Sequence, residues 1–82
     1  MDIVAYIMND INKIQMAKES VTLNQSQAAK ILGVSDSTLE NWRKRSIGPQ
    51  YIKIGKDGKQ GRVMYPKIEL AKWIANNLIK TA

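Results

Sequence analysis

The chain has 82 residues, enough for one small domain that must spend nearly all its apolar side chains on a single core. Thirteen Lys and Arg against seven Asp and Glu give a net charge of +6, and 44% of the residues are hydrophobic, too many for a disordered basic tail. With no Cys and no His, the composition excludes disulfide scaffolds, zinc fingers, thiol nucleophiles and imidazole chemistry, and it points away from an enzyme and toward an anionic partner, nucleic acid first.

Charge is concentrated in the middle of the chain. Residues 1–22 carry a net −1 and residues 67–82 a net +2. Between them, Lys30, Arg43, Lys44, Arg45, Lys53, Lys56, Lys59 and Arg62 outweigh Asp36, Glu40 and Asp57 by +5. The N-terminus opens on Asp2 and is interrupted by Asn9-Asp10, unlike a secretory signal, and no apolar run approaches the length of a membrane span. The expectation is a soluble protein of a bacterial or phage-type cytoplasm, associated with the nucleoid, off the membrane, and without cofactor or small-molecule ligand.

In chain order, Ile3, Val4, Ile7, Met8, Ile11 and Ile14 recur at three- and four-residue spacing, which predicts an amphipathic helix over 2–19 with Asp2 as N-cap and an exit at Lys18-Glu19-Ser20. This stripe either packs on the domain core or forms a dimer contact, because six aliphatic side chains are many to hide on so small a body. Residues 1–20 are accordingly read as an N-terminal helix, and 21–82 as the main domain, joined by a short linker around Ser20 to Thr22.

Asn24 followed by Gln27 is a capping-box pattern, and Gly33 is placed to end the short helix that follows. Ser35 then caps a third helix. There Leu39 and Trp42 face the core, while Asp36, Ser37, Glu40, Asn41, Arg43 and Lys44 face out. Two short helices joined by Gly33-Val34-Ser35, with the small pair Ala28-Ala29 at their crossing, form a helix-turn-helix pattern. The polar outer face, closed by Arg43-Lys44-Arg45, suits DNA.

Gly48-Pro49 ends the helical region. Tyr51 to Ile54 and Arg62 to Tyr65 alternate as strands around a glycine-rich turn, predicting a basic hairpin whose Lys53, Lys56, Lys59 and Arg62 reach for a sugar-phosphate backbone. No Gly-Lys-Ser/Thr follows the glycines, so a phosphate-binding loop is a poor reading. Pro66 is expected at the first position of a last helix bearing Ile68, Leu70, Ala71, Trp73, Ile74, Leu78 and Ile79. Trp42 and Trp73 lie in apolar helical stripes, so they read as core rather than base-stacking platforms.

The run from Leu23 to Arg43, then Gly48-Pro49-Gln50-Tyr51-Ile52-Lys53-Ile54-Gly55, Arg62-Val63-Met64-Tyr65-Pro66 and Glu69-Leu70-Ala71-Lys72-Trp73-Ile74, resembles the excisionase/AlpA-type domains of the MerR-like winged-helix group over roughly residues 21 to 79. The resemblance implies a mainly α fold with a small β-hairpin: a winged helix-turn-helix, to which the helix of 2–19 is an addition. It implies a recognition helix over 35–45 in the major groove, with Ser35, Ser37 and Thr38 at phosphates or base edges and Asn41 and Arg43 at the groove or its flanks. A wing over 51–65 would place Arg62 at the backbone or minor groove. Asp36 stands where many relatives carry Arg or Lys, and the loop from Lys56 to Gly61 is longer than usual in the family. With Glu40, Lys44, Arg45, Lys53, Lys56 and Lys59, these residues complete the candidate DNA-contacting set.

The function expected is sequence-specific binding of double-stranded DNA by a homodimer or cooperative multimer, acting as a transcriptional regulator. Alternatives are an excisionase-type architectural factor working beside a recombinase, the DNA-recognition subunit of a phage terminase, and a protein-interaction module that uses helix 2–19.

Overall fold

A computed structural model describes residues 2–14, 17–55 and 61–78. Four helices and a three-stranded sheet follow in the order α1 (Ile3–Asn12), β1 (Thr22–Asn24), α2 (Gln25–Leu32), α3 (Asp36–Lys44), β2 (Ile52–Ile54), β3 (Arg62–Pro66) and α4 (Lys67–Asn76). The architecture is a winged helix-turn-helix, mainly helical.

The helix-turn-helix is built from local signals. Asn24 Oδ1 accepts from the Gln27 amide at 2.8 Å, and Gln27 Oε1 accepts from the Asn24 amide at 3.1 Å, closing a reciprocal capping box. Gly33 leaves α2 with φ +76°, a left-handed conformation in which a side chain is strained. Two residues later Ser35 Oγ accepts from the Thr38 amide at 3.1 Å and starts α3.

The sheet has the order β1-β3-β2, antiparallel throughout. β3 is central, pairing Leu23 with Tyr65 on one side and Lys53 with Val63 on the other. The wing is thus not a two-stranded hairpin alone. Thr22, expected in a linker, is a strand residue, and Pro66, expected inside the last helix, is its N-cap and pairs with Thr22. Proline is tolerated at this end of β3, where it forgoes its ladder hydrogen bond and the chain turns into α4.

Leu23, Leu39, Tyr65 and Leu70 are the largest fully buried side chains, surrounded by Ile11, Ala17, Ala28, Ala29 and Ala71. Small residues on α2 let it approach both α3 and the sheet closely.

α1 is shorter than the span 2–19. It ends at Asn12, and the chain tightens into i→i+3 turns: the Ile14 amide donates to Ile11 O and the Ala17 amide to Ile14 O, both at 3.0 Å. A tertiary contact fixes this exit. The nearly buried Lys67 ammonium donates to Asn12 Oδ1 at 2.6 Å and to Ala17 O at 2.7 Å, while the Lys67 amide donates to Val21 O. α1 packs chiefly against α4. Of its stripe, Ile11 is buried in the shared core and Val4, Ile7 and Met8 pack against it, leaving Ile3 and Ile14 exposed. α1 is therefore continuous with the core formed by the described residues from Ala17 onward, because four of the six stripe residues are covered within the chain.

Candidate nucleic-acid interface

α3 has one fully buried residue, Leu39, and Trp42 beside it packs on Trp73 of α4 with ring centroids 5.7 Å apart. Both tryptophans are thereby engaged inside the protein. On the opposite side of the helix Ser37, Asn41 and Lys44 follow one another at four- and three-residue spacing, all exposed. This is the outward stripe of α3. Asp36 and Arg45 are exposed at its two ends. Glu40 flanks it and lies 3.9 Å from both the Lys44 ammonium and the Arg43 guanidinium. The Lys44–Glu40 pair is largely solvated, so it holds the Lys44 ammonium only weakly. Ser35 and Thr38 are committed to the cap, with Ser35 Oγ donating to Thr38 Oγ1 at 2.9 Å.

Arg43 is placed differently from its expected outward position. Its side chain is only 18% exposed, against 64% for Lys44. Arg43 follows Leu39 by four residues, which sets it on the core-facing side of α3, and that spacing was visible in the sequence. Its terminal nitrogen donates to Gln25 Oε1 at 3.4 Å, its guanidinium carbon lies 5.8 Å from the centre of the Tyr51 ring, and its Nε is buried without a hydrogen-bond partner. Gln25 in turn donates to Asp36 O at 3.4 Å, tying the starts of α2 and α3. Gln25 and Tyr51, absent from the expected set, thus support the site through contacts that no local pattern reveals.

On the wing, Lys53 pairs with Val63 and Ile54 with Arg62. Paired residues share a face and successive residues alternate, so Lys53 and Arg62 lie on opposite faces of the hairpin. These two cations of the hairpin therefore project from different faces, with Arg62 on the face of Ile54. Lys53 is on the face of Val63 and Tyr65, and a Cβ on Gly61 would come within 3.2 Å of it. Lys56 and Lys59 lie outside the described residues.

Tyr65 anchors the wing, buried and 5.9 Å from the Tyr51 ring. Burial raises the pKa of its phenol above the ordinary value near 10, opposed by the positive charge of Arg43 and reinforced by Tyr51. A raised pKa in the folded state stabilises the fold fully below pH 10, and this contribution is lost as pH rises through the folded value. The urea midpoint is therefore expected to fall between about pH 9 and pH 11 more steeply than in Tyr65→Phe, once each is normalised to its own pH 8 value. Parallel curves would show that the phenol titrates as it does in the unfolded chain.

Among the described residues, no three His, Cys, Asp or Glu side chains gather as a metal would require, and no helix is long and apolar enough to cross a membrane. A family model described as a helix-turn-helix domain matches residues 22–78, which takes in the sheet, α2, α3 and α4 and leaves α1 outside. Comparison with curated proteins and with solved structures gave no match.

Proposed function

We propose that this chain, which belongs to the excisionase/AlpA-like helix-turn-helix family and is a DNA-binding helix-turn-helix protein, recognises a specific double-stranded sequence through the outward stripe of α3. The exposed stripe of Ser37, Asn41 and Lys44, opposite the buried Leu39, carries this reading: its amide can read a base edge while its ammonium holds a phosphate. The helix enters the major groove, and Asp36 at its start can accept from a cytosine amino group.

Asn41→Ala should cost about 1–3 kcal/mol of discrimination between the preferred site and a site altered under that residue. Lys44→Ala should instead weaken all duplexes about equally and lower the salt slope by about one. Binding measured on matched and altered duplexes separates the two. Equal loss on both duplexes for Asn41→Ala would remove Asn41 from the reading set.

The placement of Lys53 and Arg62 on opposite faces favours the minor groove over a single backbone for the wing. A hairpin entering that groove meets a phosphate wall on each side, and one lying along a single strand meets only one. Lys53→Ala and Arg62→Ala should then each lower the salt slope by about one, and together by about two.

A symmetric dimer through the α1 stripe would suit transcriptional regulation from an inverted repeat. Since α4 covers most of that stripe, the excisionase-type reading gains, with copies arrayed on direct repeats and a recombinase as neighbour. A footprint on DNA flanking the gene decides between them: an inverted repeat over a promoter supports the regulator, and direct repeats near an attachment site support the architectural factor.

A further inference from the structure

We infer that Arg43 is a positioning residue that fixes the wing against the recognition helix, rather than a group that touches DNA. The inference rests on the DNA-binding reading above for its consequence and on the geometry for its cause. Arg43 is on α3, but its side chain is largely withdrawn from solvent. It meets Gln25 at the start of α2 and the ring of Tyr51 where the wing begins. Tyr51 stacks at a tilt on Tyr65 of the central strand, and Arg43 is close enough for its charge to act on the Tyr65 phenol. One guanidinium thus bridges the helix-turn-helix and the wing.

The short strand β2 lies at the edge of the sheet. All three of its residues are exposed, and among the described residues it pairs only with β3. The Arg43–Tyr51 contact adds a side-chain tie from α3 to the chain entering β2, beside the pairing with β3 and the turn at Gly48. Helix and wing must meet neighbouring grooves at the same time, so a wing held loosely would have to be ordered during binding, at a cost in affinity. A planar guanidinium can bond Gln25 with its edge and lie against Tyr51 with its face; an ammonium cannot do both.

The test compares Arg43→Lys, which keeps the charge, with Arg43→Met, which keeps the aliphatic stem. In the DNA-free protein, both variants should speed amide exchange in Ile52–Ile54 by about tenfold while α3 amides change little. Arg43→Met should also raise the Tyr65 phenol further, since the lowering charge is gone. On DNA selected from a random duplex pool, both should weaken binding by about tenfold, with discrimination at the base under Asn41 retained. Adding Lys53→Ala and Arg62→Ala should then change nothing more, because the wing has already lost its grip.

Arg43→Lys binding like the wild type, or wing substitutions that add in full to Arg43→Met, would overturn the proposal and make Arg43 a direct charge contact. Unchanged exchange in β2 would overturn it independently of DNA. If exchange and phenol respond as expected but the wild type shows no salt-dependent DNA binding, the positioning role stands and the DNA-binding reading fails.

Discussion

Replacing Leu39 by alanine is expected to destabilise the protein by about 2–5 kcal/mol, the range for emptying a fully buried leucine site. Leu39 is the only fully buried residue of α3 and belongs to the cluster that contains Leu23, Tyr65 and Leu70. A chain this short has a total stability of about 4–12 kcal/mol, so the loss is a large share of the whole. Trp42 and Trp73 report on the same region, and their fluorescence through a urea titration measures the change directly. DNA binding should fall only as far as the unfolded fraction requires, with the salt slope of the folded molecules unchanged. A loss below about 1 kcal/mol would mean that α3 is held by contacts other than its buried face.

The second large effect is at Gly48, and Gly33 supplies its control. Both glycines have positive φ, +76° at Gly33 and +90° at Gly48. A Cβ at Gly33 would meet nothing within 4 Å, whereas one at Gly48 would lie 3.1 Å from Trp42 Cε3 and 3.2 Å from Trp42 Cβ. Gly33→Ala should therefore lose only the backbone term, about 1–2 kcal/mol. Gly48→Ala should lose that term and also displace Trp42 from Trp73, for about 2–4 kcal/mol together. The left-handed turn also aims the chain from α3 into the wing, since the Ile47 amide donates to Trp42 O at 2.8 Å just before it. Thermal unfolding of the two variants side by side isolates the steric part. Equal losses would show that Trp42 yields without cost.

These two positions also mark what the sequence made legible. The capping box at Asn24 and Gln27, the left-handed Gly33 and the cap at Ser35 are interactions within a few residues, and the local pattern names them directly. β1 was hidden for the opposite reason. Thr22, Leu23 and the cap residue Asn24 become a strand only because Met64, Tyr65 and Pro66, some forty residues later, lie beside them. The end of α1 is similar: its apolar period runs on to Ile14, but Lys67 draws Asn12 and Ala17 together and the helix stops. Lys67 counted as one more tail charge in the sequence, yet it is the buried pin between the two ends of the domain.

The candidate site divides along the same line. Ser37, Asn41 and Lys44 stand out as a surface because helical spacing opposite Leu39 dictates it. Phase decides which of the basic residues face the same way. Arg43 turns inward because it is one helical turn past Leu39, and Arg62 parts from Lys53 because strand residues alternate. Net charge identified the partner class, and the pairing register determined which cations can act together.

On the reading proposed above, the outward stripe of α3 and the two-faced wing hold one duplex sequence together. This is tested most directly by measuring affinity against salt for two duplexes, one selected by this protein from a random pool and one scrambled. Log affinity should fall linearly with log salt, by about 0.9 per phosphate held, and the selected duplex should bind at least about 10³-fold tighter than the scrambled one at physiological salt. A flat salt response, or equal affinity for the two duplexes, would contradict it.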